Sequence, residues 1–373
     1  MSVPDHGVPS WCTIHRNRIS RNLELALGLL PAGRRFCAVL KADAYGHGIG
    51  QVVPLVQEQG VTCIGITTNA EARAVRDMGF DGALMRLRAA TPQEIRAGQS
   101  DRIEEQVASV AMAQQMRADL DAGHHHAPVH LALNAAGMSR DALEIATPAG
   151  QDACGRILEV MGSEVAGICT HFPSNEPPEL QQSAAVFQQQ VGWVIDNSDL
   201  CRADVVVHAG SSLTLVSGVQ IDTDMYRCGA ILYGILRPDL GFSSTMDLEA
   251  QVVSLQQYPG GSSVGYDRAG RLGQPRLLAC ISIGYQNGFR RLSDGQSVVS
   301  IRNGLAPVIG KVSMNAIVAD VTDIEDVRIG DSVTVIGGQG RAQIAPPLAE
   351  SQFRTIMADL YTDWGQRNHR VYC

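Results

Sequence analysis

A lysine that closes an apolar run is the first residue here to need a chemical explanation. In Ala38-Val39-Leu40-Lys41-Ala42-Asp43-Ala44-Tyr45-Gly46-His47-Gly48, residues 36–41 read as a strand, and Lys is seldom buried without a reason. At the C-terminal end of a barrel strand Lys41 would point into the mouth where such folds keep their sites. Desolvation there would lower its pKa and make it a Schiff-base nucleophile. The same position also suits a lysine whose ammonium simply emerges at the strand end, and position alone leaves both readings open. His124, His125 and His126 follow a predicted helix in a polar loop, with no flanking Cys or carboxylate ligands, so they read as surface residues and no metal is expected. The nine cysteines, an odd number without regular spacing, read as reduced core thiols rather than a disulfide scaffold. Cys37 and Cys63 fall at similar depth in two consecutive predicted strands, so they are either neighbours near enough to bridge or two small buried hydrophobes.

The elements that must position Lys41 follow from periodicity. Eight short apolar runs recur between residues 36 and 234: 36–41, 61–67, 83–88, 103–107, 129–134, 165–171, 205–208 and 225–227. Helical stretches such as 69–78 and 181–195 lie between them, the signature of a parallel α/β fold. Eight strand-helix units match a TIM barrel, with a doubly wound sheet as the rival. Past about residue 241 the texture changes to turn-separated β segments at 252–256, 276–283, 298–301, 307–318 and 332–337, without a long helical period. The expected domains are therefore an α/β TIM barrel over 10–240 and an all-β domain over 241–373. The opening strand, 10–15, either pairs with the barrel or packs with the second domain together with the rest of residues 1–14.

Composition limits the function classes. With 38 acidic and 30 basic residues, a net charge of -8 and no run of Lys or Arg, a nucleic-acid partner is not expected. No apolar stretch approaches the roughly 20 residues of a membrane helix, and residues 1–11 lack a basic region followed by an apolar run. A cytoplasmic protein is expected of the chain as written, or a periplasmic one whose signal has been removed.

The eleven-residue string around Lys41 closely resembles the cofactor-lysine motif of the alanine racemase family, enzymes that use pyridoxal 5'-phosphate. The resemblance continues through Asn69-Ala70-Glu71-Ala72, Gly137-Met138-Ser139-Arg140, Thr170-His171-Phe172-Pro173, Val264-Gly265-Tyr266-Asp267, Ser282-Ile283-Gly284-Tyr285 and Ser313-Met314-Asn315, from about residue 10 to the end. It implies a pyridoxal-phosphate barrel, a C-terminal β domain and a head-to-tail homodimer with shared sites. Inverting an amino acid's Cα needs acid/base groups on two faces. The resemblance assigns one face to Lys41 and the other to Tyr266 of the partner subunit, with Arg140 and His171 as neighbours that favour its phenolate. Arg227, on the eighth strand, matches the family's partner of the pyridine nitrogen; by position alone it also suits an ion pair at a barrel rim. Arg stays protonated, so it cannot hand that nitrogen a proton, which limits the electron sink and suppresses transamination. The cofactor phosphate is expected at Ser211, Ser212, Gly229 and Ala230, after strands seven and eight, with Tyr45 and Tyr361 as phenol contacts. The family's Asn-Ser pair reads Ser211-Ser212 here. Arg140 and the Met314 backbone would meet the substrate carboxylate, and Tyr285 would line the entrance, where Phe289 replaces a second family Tyr.

Within the family, alanine-specific members carry a modified Lys in strand five, where this chain reads Ala132-Leu133-Asn134-Ala135-Ala136. That pattern, with Arg86-Leu87-Arg88 and the Cys37, Cys63 pair, resembles the broad-specificity amino acid racemases, which act on Ala, Ser, Lys, Arg and Met. Asn134 is expected near the substrate. Ala136 and Asp141 depart from the subgroup's usual Gly and Asn. An alanine-specific racemase is the alternative. A pyridoxal-phosphate decarboxylase is disfavoured by Arg227 and Tyr266, and a non-catalytic carrier of the cofactor by the presence of the β domain.

Overall fold

The computed structural model describes residues 7–124, 126–292, 297–338 and 340–373. His125, one of the histidine trio, and residues 1–6 of the N-terminal segment lie outside the described residues. The first strand, β1 (Ser10–Ile14), is followed by eight that close into a parallel barrel: β2 (Arg35–Val39), β3 (Cys63–Ile66), β4 (Ala83–Arg86), β5 (Ile103–Val107), β6 (Val129–Ala132), β7 (Val165–Cys169), β8 (Val206–Ser211) and β9 (Met225–Cys228). The ring closes where Cys37 of β2 lies in register with Arg227 of β9. A barrel strand is covered on both faces, so its side chains are apolar on both, and alternation sends every second one inward. Cys37, Cys63, Met85 and Met225 pack together inside the ring. Outside it, Leu131, Ile168 and Val207 pack on helix residues such as Phe187.

The remaining strands build a second sheet: β10 (Met246–Tyr258), β13 (Arg276–Ile281), β14 (Val298–Ile301), β15 (Gly304–Pro307), β16 (Ile317–Asp320), β17 (Ser332–Ile336) and β18 (His369–Tyr372), with a small ribbon of β11 (Ser263–Val264) and β12 (Gly270–Arg271). Strand β1 lies between β10 and β18 in this sheet and not in the barrel. Two helices, Pro346–Phe353 and Met357–Arg367, join the sheet. Expecting only strands and turns past 241 overlooked them, although the second carries Met357, Leu360, Tyr361 and Trp364 at helical spacing, all buried. One apolar cluster runs from Leu40 in the barrel through Tyr233 to Leu248 and Trp364 in the sheet, so the two halves share a core. Among the described residues no helix is long and apolar enough to cross a membrane.

Several barrel strands end before the residues expected to carry chemistry. Lys41 lies beyond β2, Asn134 beyond β6 and His171 beyond β7. A side chain that must face a ligand from the rim is supplied by the loop that leaves the hydrogen-bonded ladder, which is why these boundaries fall two residues earlier than the apolar runs suggest.

Candidate active site

Lys41 opens a left-handed turn. Ala42, Asp43, Ala44 and Tyr45 have φ of 55°, 53°, 56° and 53°, a conformation that costs roughly 1–2 kcal/mol for each L-residue. Its cost is offset by contacts on every side. Glu71 accepts the Ala42 N–H at 2.6 Å, and the Asp43 carboxylate accepts the Ile49 N–H at 2.8 Å. The same carboxylate pairs with Arg370 of β18. Gly46 must be glycine here: its φ is 81°, and a Cβ would meet the Tyr361 carbonyl oxygen at 2.2 Å.

This turn aims Lys41 into a cavity of about 610 Å³ at the C-terminal mouth of the barrel. Tyr45, Arg140, His171, Ser211, Ser212, Arg227, Gly229 and Ala230 line the same cavity. The structure thus brings together nine of the residues expected at the site, from five separate rim segments. The Lys41 ammonium lies 5.9 Å from the Tyr45 ring centroid. Its pKa is lowered, first by burial and then by the Arg140 charge, with Glu71 opposing. His171, open to the cavity but walled by the rim, is pushed down to about 4 by burial and by Arg227, Arg140 and Lys41. Its imidazole is therefore neutral at pH 7. Arg227 is fixed by three hydrogen bonds: to His208 Nδ1 at 2.7 Å, to the His208 carbonyl at 2.8 Å and to the Thr170 carbonyl at 2.7 Å. Ser212 Oγ accepts from the N–H of Gly229 at 3.0 Å, so that N–H already has a partner. Ser211 caps the short helix that follows it by accepting from the Thr214 N–H.

Other expected positions fall elsewhere. Tyr361 is fully buried in the C-terminal core, edge-on to His47 with its hydroxyl 2.5 Å from Ser244 Oγ, so it is not a cavity phenol. Phe289 is also core, edge-on to Phe353 with ring centroids 5.2 Å apart, and does not line an entrance. Asn134 faces an adjoining cavity beside Arg140 and Asp141. Its amide donates to Glu144 at 2.5 Å and accepts the Ser139 N–H at 2.8 Å, which shapes the loop carrying Arg140. Arg140 itself donates to Asp141 at 3.2 Å. Ala136, the alanine in a subgroup glycine position, has φ of 61°. Cys37 and Cys63 are in-register neighbours and free thiols, and Cys37's hydrogen bond together with burial raises the Cys63 pKa.

Tyr266, Tyr285 and Met314 do not line the Lys41 cavity of their own chain. They are 59%, 37% and 51% exposed. Tyr285 and Gln286 donate their backbone N–H groups to the Ser313 and Met314 carbonyls, and Gly265, beside Tyr266, packs on the Lys311 backbone. The segment 310–315 thus ties the three together on the C-terminal domain. Glu71 is the functional residue overlooked in the sequence. Its motif was visible, but nothing local signals that its carboxylate reaches the lysine turn.

Comparison with known proteins agrees with this geometry. The family description "Alanine racemase, N-terminal domain" matches residues 14–237 and "Alanine racemase, C-terminal domain" residues 245–372. The broad specificity amino-acid racemase of Aeromonas hydrophila is 37% identical over 96% of this chain and 88% of its own. The lysine racemase of Proteus mirabilis is 34% identical over 97% of this chain and 89% of its own. The crystal structure of alanine racemase from Bartonella henselae with covalently bound pyridoxal phosphate superposes with a TM-score of 0.85 at 22% identity, over 98% of this chain and 99% of that one. A barrel with a lysine at its mouth, a β domain presenting an exposed tyrosine, and sequence similarity along nearly the whole chain place this protein in the alanine racemase family.

Proposed function

We propose that this chain is an amino-acid racemase of broad specificity that uses pyridoxal 5'-phosphate and works as a homodimer. The observation that carries the reading is the division of the two bases. Lys41 sits at the barrel mouth with a lowered pKa, while Tyr266 is displayed on the other domain outside that cavity.

The residues present fit the cofactor. A lysine amine suits its aldehyde, hydroxyls at Ser211, Ser212 and Tyr45 with the backbone at Ala230 suit its phosphate, and the Arg227 guanidinium suits a ring nitrogen that stays unprotonated. A Cβ on Gly229 would stand 2.6 Å from Tyr45 Oη, so glycine there keeps the tyrosine at the cavity wall. When bound, the cofactor withdraws electrons from the Cα–H bond of an attached amino acid and makes that proton removable.

The chain's own groups do the rest. A neutral Lys41 Nζ takes or returns the Cα proton on one face, which its depressed pKa permits nearer neutral pH than an ordinary lysine. Tyr266 Oη, reaching in from the partner subunit, does the same on the opposite face, beside Arg140 and neutral His171. Arg140 binds the substrate carboxylate with Met314 of the partner subunit, and Tyr285 of that subunit borders the entrance. Ala132 on the cavity wall leaves space beside Arg140, and with the relatives named for broad or lysine specificity this supports several substrates over alanine alone. The test is chiral chromatography of the loaded enzyme incubated separately with L-Ala, L-Ser, L-Lys, L-Arg and L-Met. D-forms from several support the reading; D-Ala alone contradicts broad specificity, and no D-form contradicts racemisation.

A further inference from the structure

Behind Arg227 a line of polar side chains crosses the barrel interior. His208 Nε2 lies 2.9 Å from His130 Nδ1, and His130 Nε2 lies 2.9 Å from Glu104 Oε2. The two imidazoles meet edge-on at 4.9 Å between centroids. His208 is fully buried and His130 2% exposed, whereas the Glu104 side chain is 24% exposed near the start of β5, at the end of the barrel away from Lys41.

Hydrogen-bond direction in this line is fixed from one end. Arg227 only donates, so His208 Nδ1 must accept and its proton sits on Nε2. His130 Nδ1 must then accept, and its own Nε2–H points at the Glu104 carboxylate. A second proton on either ring would set donor against donor. The result is an ion pair between Arg227 and Glu104 bridged by two neutral imidazoles, with all four ring nitrogens used.

Such a line is expensive to bury, and apolar side chains would fill the space at lower cost. The backbone is also adapted to it. Register shifts fall at Val129/His130 in β6 and at His208/Gly210 in β8, where a bulge re-aims a side chain. Gly167 stands opposite His130, where a Cβ would come within 2.1 Å of its Nδ1.

We propose that Glu104 and His130 are positioning residues, which hold Arg227 in its working orientation through a hydrogen-bonded line across the barrel interior. The proposal rests on the reading of Arg227 as the residue facing the cofactor ring.

The test combines ¹⁵N-histidine NMR of the unloaded and loaded protein with steady-state kinetics. In the unaltered chain both rings should show a single Nε2–H tautomer, loaded or not. Because Arg227 fixes both tautomers from its own end, the variants are read at the His208 Nδ1 resonance, whose shift reports the hydrogen bond accepted from Arg227. Glu104→Leu should move that resonance toward the value of an unbonded ring nitrogen and lower kcat about tenfold with KM little changed, the scale of losing an outer hydrogen-bond partner. Glu104→Gln, whose amide oxygen still accepts, should restore the resonance and most of kcat. His130→Phe keeps the ring volume, and should move the His208 resonance and lower kcat as Glu104→Leu does even if that variant folds poorly. An unmoved His208 resonance, or a moved one with unchanged kcat, in these variants would overturn the proposal. Failure of the unaltered enzyme to racemise would instead overturn the functional reading, while the tautomers of the unloaded protein still judge the line itself.

Discussion

The Glu71 carboxylate accepts the N–H of Ala42, the residue directly after Lys41, at 2.6 Å. Its other oxygen accepts the N–H groups of Thr67 at 2.7 Å and Thr68 at 3.1 Å. One side chain therefore holds the left-handed turn that carries the lysine and caps the neighbouring helix. Glu71→Ala should destabilise the protein by about 3 kcal/mol, because partly buried N–H groups lose their acceptor, and Glu71→Gln should cost roughly half as much. Urea unfolding checks both. An Ala variant within about 0.5 kcal/mol of the unaltered protein, the range of an ordinary surface change, would contradict this role.

Arg86 is fully buried, with Nε and Nη2 paired to Glu105 at 2.8 and 3.0 Å and further bonds to the Thr67 carbonyl and Asn69. Removing one partner strands a buried charge, so Glu105→Ala should cost about 3–5 kcal/mol, whereas the double change Arg86→Met/Glu105→Leu should recover much of it. Equal losses in the single and double variants would show that the pair itself stabilises.

Ala136 holds φ of 61°, where a Cβ is strained. Ala136→Gly should raise stability by about 0.5–1 kcal/mol, since the relief of strain exceeds the extra unfolded-state entropy of glycine. A lower thermal midpoint for the glycine variant would contradict the strain argument.

His47 is buried and held between the Ala44 and Tyr45 carbonyls and Thr245 Oγ1. Burial lowers its pKa from 6.5 to about 4. The unfolded chain therefore binds the proton first, and stability present above pH 6.5 falls as pH drops toward 4, by on the order of 3 kcal/mol for this residue. Urea midpoints measured from pH 7.5 to 4.5 should decline, and His47→Asn should flatten the decline. An identical pH profile in that variant would assign the loss to other groups.

The barrel was legible because eight short apolar runs recur with helical stretches between them, and Lys41 stood out at the end of the first, whereas His171 and Arg227 were singled out by the family resemblance. Less legible was whatever depends on three dimensions. Tyr361 looked like a cavity phenol but lies on the inner face of a helix whose neighbours Leu360 and Trp364 take it into the core. Phe289 likewise packs on Phe353, some 64 residues later in the chain. Nothing near Glu71 or Glu104 in sequence indicates which turn or ring its carboxylate reaches. The polar His130 and His208 at inward positions of apolar strands were visible clues to an interior network.

The most direct test of the account is complementation between two inactive chains. Lys41→Ala and Tyr266→Ala chains, separately tagged, are co-expressed and the mixed dimer is isolated, loaded with pyridoxal phosphate and assayed for L-to-D conversion. If each site takes its lysine from one subunit and its tyrosine from the other, the mixed dimer contains one intact site and one doubly damaged site, and should regain about half the activity of the unaltered dimer. If lysine and tyrosine of the same chain worked together, every site would carry a lesion, and a mixed dimer as inactive as its parents would contradict the account.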